Sequence, residues 1–275
     1  MMIKNKYEVI IPTTEPLIGI IGYHFAKKYK IPIIYEVQDN YEMYGSYKLL
    51  FVRALEHNVI KKSDFVFYSN FPLMKKLDFL RKRNIEIIEN GVDLNLFKKI
   101  PKNKARKLLK INEKIKLITY TGHISKDRGI DNLIDVVREL RKSDKNIHLL
   151  LSGKVDKNID IKHDFIIYEA LPKREQLVMA LNASDVLVIA SGNNKFTKYS
   201  FPQKLFEYMA VNVPIVATAV GDVERILKPY KGSLCKPESK EGLKNKITIQ
   251  LKKKSINYRK TTLNYSWDRL SRKID

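Results

Sequence analysis

Short apolar runs alternate with helical patterns along most of this chain, and that alternation constrains its fold more than any other feature. Runs such as residues 215–218 have the length and the continuous apolar character of strands buried in a parallel sheet. The intervals between the runs show apolar residues at helical spacing. The pattern predicts parallel βαβ units with right-handed crossovers, and therefore an α/β fold of doubly wound sheets.

The alternation falls into two blocks. Residues 115–254 contain six predicted strands, enough for a complete Rossmann-like domain, at 116–121, 147–151, 165–168, 185–190, 215–218 and 233–236. Residues 1–96 contain four predicted strands, at 7–11, 31–37, 63–69 and 85–88, and three helices, at 17–29, 47–61 and 71–83. Residues 97–114 are polar and Lys-rich, which indicates a linker that leads into a short helix. Residues 255–275 are predicted to form a terminal helix that starts near Ser266-Trp267 and returns toward the first domain.

Composition excludes several classes of protein. The 275 residues are 44% hydrophobic and 30% charged, so the chain can build a core. The single cysteine, Cys235, rules out an internal disulfide, and the five histidines show no metal-ligand spacing. Neither a long apolar run nor a signal-peptide pattern is present. We therefore expect a cytoplasmic protein, soluble or peripheral at the inner face of a membrane.

The net charge of +22 has three interpretations: affinity for nucleic acid, attraction to an anionic membrane surface, or a Lys-rich composition without specific meaning. The lysines are spread along the chain, and no zinc-finger, RRM or KH signature accompanies them. The sequence favours a membrane-facing or phosphate-handling protein over a nucleic-acid binder.

Residues 200–227 carry the clearest candidate site. Ser200 and Gln203 fit a capping box, with Pro202 in the first helical turn, and a predicted buried strand follows. A helix that starts beside the carboxyl ends of parallel strands presents free N–H groups and the positive end of its dipole, which favours phosphate. Lys204 adds a positive charge, and Glu207 can accept hydrogen bonds from two ribose hydroxyls. The alternative is an ordinary capped amphipathic helix with an exposed Lys/Glu pair.

The stretch SFPQKLFEYMAVNVPIVAT resembles the donor site of family 4 retaining glycosyltransferases with the two-domain GT-B fold. The resemblance implies two Rossmann-like domains, the first of them incomplete here, and a nucleotide diphosphate sugar as donor substrate. It also implies that Lys204 and Glu207 lie beside that donor, and that neither a metal nor another cofactor is needed.

Further motifs extend the resemblance. Gly122 and His123 precede Arg128 where the family commonly has Gly-Arg…Lys-Gly, whose two cations bind the donor diphosphate. Arg128 keeps its charge, whereas His123 is only partly charged at neutral pH. Gly153 matches the glycine that approaches the nucleotide base. The resemblance thus assigns catalysis to Arg128 and Lys204, with donor binding by Gly122, His123, Gly153, Ser200 and Glu207.

The sequence departs from the family pattern at several positions. Tyr199 stands eight residues before Glu207, near where many relatives have the glutamate that contacts the sugar. Gln38 replaces a family histidine. Glu15 and Asp39 follow predicted strands and are candidates for acceptor binding, although ordinary turn carboxylates or a hydrolase's acid pair would look the same.

Three hypotheses follow. The favoured one is a glycosyltransferase that moves a hexose-type sugar, with retention, to a glycan or lipid-linked acceptor in surface polysaccharide or glycolipid synthesis. The second is a truncated, inactive relative or pairing subunit that binds nucleotide and needs a protein partner to complete its first domain. The third, a nucleic-acid binder, predicts a steep salt dependence of DNA binding.

Overall fold

The computed structural model describes residues 7–273, and the chain divides into two compact units. The first unit comprises the chain up to Asn90 together with Lys198–Phe201. The second comprises Gly91–Thr197 and the chain from Pro202 onward. No helix within residues 7–273 is long and apolar enough to cross a membrane.

The first unit is built on a parallel three-stranded sheet of order β1-β2-β3. Its strands are β1 (Ile34–Val37), β2 (Phe65–Tyr68) and β3 (Ile85–Ile87), and its helices are α1 (Pro16–Tyr29), α2 (Val52–Lys62) and α3 (Phe71–Leu77). Two 3₁₀ turns, Tyr41–Met43 and Gly45–Lys48, join β1 to α2. Helix α1 packs against α2, and apolar side chains from the strands, α2 and α3 fill the core.

Three predictions for this unit are wrong. The strand expected over residues 7–11 is reduced to one bridge, at which Ile10 pairs with Ile33 in parallel. The helix expected from residue 47 begins at Val52, because residues 41–48 form the 3₁₀ turns instead. The helix expected to reach residue 83 ends at Leu77.

The second unit is built on a parallel six-stranded sheet, and all six predicted strands are present. They are β4 (Lys116–Thr121), β5 (Ile147–Ser152), β6 (Ile166–Tyr168), β7 (Val186–Ile189), β8 (Ile215–Thr218) and β9 (Leu234–Cys235). Their order, β6-β5-β4-β7-β8-β9, reverses direction between β4 and β7. This is the strand order of the Rossmann fold, in which ligands bind beyond the carboxyl ends of the strands at the reversal.

Helices cover both faces of this sheet. They are α4 (Lys102–Leu108), α5 (Ile130–Leu140), α6 (Arg174–Ala183), α7 (Lys195–Tyr199), α8 (Gln203–Ala210), α9 (Gly221–Leu227), α10 (Lys240–Gln250), α11 (Arg259–Asn264) and α12 (Trp267–Leu270). Side chains of β4 alternate between the two faces, as a strand requires. Ile118 and Tyr120 pack in the cluster formed with α5 and α10, whereas Leu117 packs toward α4 and α6.

Helix α4 lies within the segment interpreted from sequence as a linker. Its Arg106 is buried and donates hydrogen bonds to the backbone carbonyls of Ala183, Glu113 and Ile115. The same guanidinium forms an ion pair of 2.7 Å with Asp185. These contacts hold α4 against the end of the six-stranded sheet at which the central strands β4 and β7 begin.

Candidate functional site

Two glycines bring the ends of β4 and β5 into backbone contact. Gly122 (φ +117°) follows β4, Gly153 (φ +132°) follows β5, and the N–H of Gly122 donates to the carbonyl of Ser152 at 2.8 Å. A Cβ on Gly153 would lie 2.1 Å from the carbonyl oxygen of Gly122. Only glycine fits this approach, because other residues are disfavoured at positive φ and would collide. Gly122 and Gly153 therefore form a surface that carries no side chains of its own, beside the point where the strand order reverses. We call these two residues the glycine ledge.

Lys204, in the first turn of α8, reaches over this ledge. Its Nζ donates to the backbone oxygen of Thr121 at 2.8 Å and to the hydroxyl of Tyr120 at 3.2 Å, and it lies 4.3 Å from the centre of the Tyr120 ring. A Cβ on Gly122 would lie 2.7 Å from Nζ. The absence of a side chain at Gly122 thus leaves the space that the Lys204 ammonium occupies.

Burial and the nearby positive charge of Arg128 together lower the pKa of Lys204 to about 7, while Glu207 acts in the opposite direction. The amine has two oxygen contacts and no carboxylate partner at ion-pair distance among residues 7–273. An anion placed beside it would supply the missing countercharge and raise its pKa. The geometry and charge of this position suit a phosphate group.

Glu207 lies one turn after Lys204 on α8, with its side chain 13% exposed. It accepts a hydrogen bond of 3.1 Å from Arg174, whose guanidinium also stacks over the ring of Phe97 at 5.2 Å. Burial raises the pKa of Glu207, and the charges of Arg174 and Lys204 oppose that rise. One carboxylate oxygen is engaged by Arg174, so the carboxylate retains capacity to accept from hydroxyl groups.

Arg128 ends the 3₁₀ turn Lys126–Arg128 that leads into α5, and its guanidinium stacks over the ring of Phe196 at 4.8 Å. The turn is fixed by Gly129, with φ of +68°, where a Cβ would lie 2.0 Å from the backbone oxygen of Ala190. Arg128 is near enough to influence the pKa values of both Lys204 and Tyr120. The positive charge of Arg128 therefore acts at the same corner of the second unit as Lys204, where β4 and β5 end.

His123 turns toward a different partner. Its Nε2 lies 2.7 Å from a carboxylate oxygen of Asp156, and both side chains are substantially exposed. The backbone carbonyl of His123 accepts from Tyr120. The residue at the family's expected arginine position is thus hydrogen-bonded to a carboxylate of this chain.

Ser200 does not cap α8, so that prediction is wrong. The helix begins at Gln203, and Pro202 precedes it with a ψ of 63°, outside the helical region. No side chain caps this helix start. Because Pro202 occupies the N-cap position, Ser200 stands two residues too early to cap the first turn of α8.

The structure thus brings five predicted residues to one corner of the second unit: Gly122, Gly153, Arg128, Lys204 and Glu207. Sequence reasoning missed Tyr120, which lies under the Lys204 amine, and Arg174, which orients Glu207. Arg174 lies 33 residues before Glu207, so no local spacing could reveal their pairing.

The two acceptor candidates lie in the first unit, each bonded to the 3₁₀ turns. Glu15 accepts from the hydroxyl of Ser46 at 3.3 Å, and Asp39 accepts from that of Tyr44 at 2.8 Å. Burial, with the Asp39 and Glu15 carboxylates, raises the pKa of Tyr44 to about 12. Both carboxylates therefore lie near one tyrosine hydroxyl.

Comparison with known proteins identifies the family. Residues 101–266 match the model of the glycosyl transferases group 1 family, which is more than half of the chain. The chain belongs to the glycosyl transferases group 1 family. All five residues of the corner, and the contacts among them, lie within the matched segment.

Individual members of the family are distant from this chain. It is 25% identical over 164 residues to the putative teichuronic acid biosynthesis glycosyltransferase TuaC of Bacillus subtilis, covering 59% of this chain and 40% of that protein. It is 26% identical over 211 residues to the N-acetyl-alpha-D-glucosaminyl L-malate synthase of Bacillus anthracis, covering 72% and 52%. The chain thus spans about half the length of the curated relatives it matches.

Solved structures share the fold. The structure of Anabaena Alr3699/HepE in complex with UDP matches with a TM-score of 0.79 and 17% identity, over 98% of this chain and 77% of that one. At this identity the likeness shows the fold alone, which is that of GT-B glycosyltransferases: α/β, with parallel Rossmann-like sheets.

Proposed function

We propose that this protein transfers a sugar from a nucleotide diphosphate sugar to a hydroxyl of a glycan or lipid-linked acceptor, with retention of anomeric configuration. The observation that carries the proposal is the Lys204 ammonium, which lies over Gly122 and has no carboxylate of residues 7–273 at contact distance. Family membership supports the reaction class. The teichuronic acid transferase among the relatives supports an acceptor in cell-surface polysaccharide synthesis.

The donor diphosphate would bind across Gly122, where the absent side chain lets phosphate oxygens approach the backbone. Lys204 and Arg128 would neutralise its charge, because charge-assisted hydrogen bonds to phosphate are stronger than hydrogen bonds between neutral groups. Glu207, held by Arg174, would accept from the ribose hydroxyls. HepE, which shares the fold, has been solved with UDP-glucose, and this supports a uridine diphosphate sugar as the first donor to test.

In the transfer step the bond between the anomeric carbon and the phosphate oxygen breaks. The acceptor hydroxyl oxygen bonds to that carbon on the same face, and its proton passes to the departing diphosphate or to water. Negative charge grows on the leaving phosphate, where Lys204 and Arg128 would stabilise it without moving. Glu15 and Asp39 of the first unit would contact the acceptor. Ser200 does not cap α8, and donor binding by His123, which is hydrogen-bonded to Asp156, stays a prediction.

The test is a transfer screen with a panel of nucleotide sugars against glycan and lipid-linked acceptors, with the product anomer assigned by NMR. We expect one donor to be used with retention. Lys204→Ala and Arg128→Gln should each lower turnover at least about tenfold, the effect of losing one charged hydrogen bond to phosphate.

Lys126→Gln is the matched control, because Lys126 is an exposed cation in the same turn as Arg128. It should leave turnover within about twofold, as expected for a solvated charge. Inversion of the anomer would refute the retaining mechanism. Unchanged turnover in Lys204→Ala would refute the site.

A further inference from the structure

A polar cavity of about 300 Å³ adjoins the turn that carries Arg128. Lys126, Asp127 and Gly129 line it, and Arg128 stands between them in the chain, beside Lys204. The other lining residues come from the first turn of α5, the loop after β7 and the residue before the cap of α10, all in the second unit. The cavity is therefore next to the position proposed for the diphosphate. Its volume suits one sugar ring better than a whole nucleotide.

Backbone contacts join the cavity to that turn. The N–H of Gly192, in the loop after β7, donates to the carbonyl of Asp127 at 3.2 Å. Gly129 approaches the end of β7 so closely that a Cβ on it would lie 2.0 Å from the carbonyl oxygen of Ala190. The loop and the turn thus hold each other in place, and the cavity exists before any ligand binds.

The side chains that line the cavity suit hydroxyl groups. Asp131 and Asn132 of α5 and Asn193 and Asn194 of the loop supply a carboxylate and three amides, which together accept and donate hydrogen bonds. One carboxylate oxygen of Asp131 is buried, and it has no hydrogen-bond partner among residues 7–273. A buried acceptor without a partner is costly, and a ligand hydroxyl would satisfy it.

The charge of the cavity disfavours an anionic ligand. Among the described residues that line it, the carboxylates are Asp127, Asp131 and Glu238, whereas the only cation is Lys126. A phosphate or a sugar acid placed here would meet like charges, which are repulsive. A neutral ring with several hydroxyls fits both the charge and the hydrogen-bonding groups.

We propose that this cavity holds the transferred sugar of the donor, and that the sugar is neutral. Resting on the proposed transfer reaction, this assigns Asp131 and Asn132 as specificity-determining residues that bond the sugar hydroxyls. The diphosphate bound by Arg128 and Lys204 places the sugar on the cavity side of the turn. Glu207 differs from these two residues, because it contacts the ribose, which every derivative of the nucleotide shares.

The test compares UDP-glucose and UDP-N-acetylglucosamine with UDP, which lacks the sugar, by calorimetry on the full chain. Asp131→Ala with Asn132→Ala should lower the affinity for at least one of the two nucleotide sugars at least about tenfold, because hydrogen bonds to the sugar are lost. Affinity for UDP should stay within about twofold, since UDP does not reach the cavity. In wild type, UDP-glucuronic acid, whose sugar carries a carboxylate, should bind more weakly than UDP-glucose.

Asp135→Asn is the matched control. It removes a carboxylate from the next turn of α5, where Asp135 pairs with Arg138 and Lys240 and does not line this cavity. It should leave the affinities for UDP and both nucleotide sugars within about twofold, as expected for an exposed ion pair.

Gly192→Val tests the cavity by filling it, and it stands if the alanine variant fails to fold. A Cβ on Gly192 would lie 3.4 Å from the carbonyl oxygen of Asp127, which is an ordinary contact. This variant should also lose at least about tenfold in affinity for the nucleotide sugar and keep its affinity for UDP. Equal losses for UDP and the nucleotide sugars, or no loss in either variant, would overturn the proposal. A wild-type chain that binds none of these nucleotides would refute the donor site itself, and this assignment with it.

Discussion

The two units place their charges differently. Residues 91–275 carry 38 Lys and Arg against 20 Asp and Glu, whereas residues 1–90 carry 14 against 10. The second unit concentrates positive charge and holds Lys204 and Arg128 at one corner of its sheet. The first unit has little net charge and exposes Leu50 and Phe51. Most of the net charge of +22 therefore comes from residues 91–275, whose 38 basic and 20 acidic residues give +18.

Each unit also buries a titratable side chain that is hydrogen-bonded to tyrosine. In the second unit this side chain is a base, Lys204, and in the first unit it is an acid, Glu56. Lys204 donates to the Tyr120 hydroxyl, whereas Glu56 accepts from the hydroxyls of Tyr47 and Tyr35. Burial lowers the pKa of Lys204 to about 7 and raises the pKa of Glu56 to about 7. The difference is that the proposed donor phosphates would satisfy Lys204, while Glu56 already has its partners within the fold.

The largest expected effect concerns the glycine ledge. Gly153→Ala should destabilise the second unit by about 3 kcal/mol or more, because the new Cβ lies 2.1 Å from the Gly122 oxygen at a positive φ. Urea unfolding followed by circular dichroism, which reports both units, and by the fluorescence of Trp267, the only tryptophan, measures this. Gly45→Ala in the first unit is the control. A Cβ there meets nothing within 4 Å, so a change of about 0.5 kcal/mol at most is expected. Equal changes in the free energy of unfolding for Gly153→Ala and Gly45→Ala would contradict the role assigned to the contact between Gly153 and Gly122.

The next effect concerns the buried ion pair of the second unit. Asp185→Asn should cost about 3 kcal/mol, because it leaves the Arg106 guanidinium buried without its carboxylate. Asp144→Asn removes an exposed pair with Lys116 and should cost about 0.5 kcal/mol or less. The same unfolding assay compares the two. A small cost at Asp185 would contradict the assigned role of the pair in holding α4.

The smallest effect concerns Glu56 in the first unit. Its carboxyl binds a proton more tightly when folded, so the free energy of unfolding falls as pH rises from about 4.5 to about 7 and is level above that range. Glu56→Gln should remove this slope, which is roughly 1 kcal/mol per pH unit, while the amide oxygen still accepts from Tyr47. Thermal melts across that range, with hydrogen exchange of α2, measure it. An unchanged slope in the variant would assign the titration to another group.

Much of the second unit follows from its sequence. Continuous apolar runs such as Ile215–Thr218 are long enough to identify strands. Gly122 directly follows one such run, and Lys204 stands in the first turn of the helix that precedes Ile215–Thr218. The pairing of Arg174 with Glu207 was not predictable, because contacts between distant segments depend on strand order. In the first unit, the late start of α2 follows from turns stabilised by Tyr44 and Ser46 side chains, which carry no helical periodicity signal.

The most direct test of the donor site is the affinity for UDP-glucose measured by calorimetry from pH 6 to pH 9. Only protonated Lys204 attracts phosphate, and its pKa in the free protein is about 7. Affinity should therefore be level below pH 7 and fall by up to about tenfold per pH unit above it. Lys204→Met should bind more weakly at pH 6 and lose this pH dependence. A wild-type profile that stays level to pH 9, or a Lys204→Met variant that binds as tightly as wild type, would contradict the account.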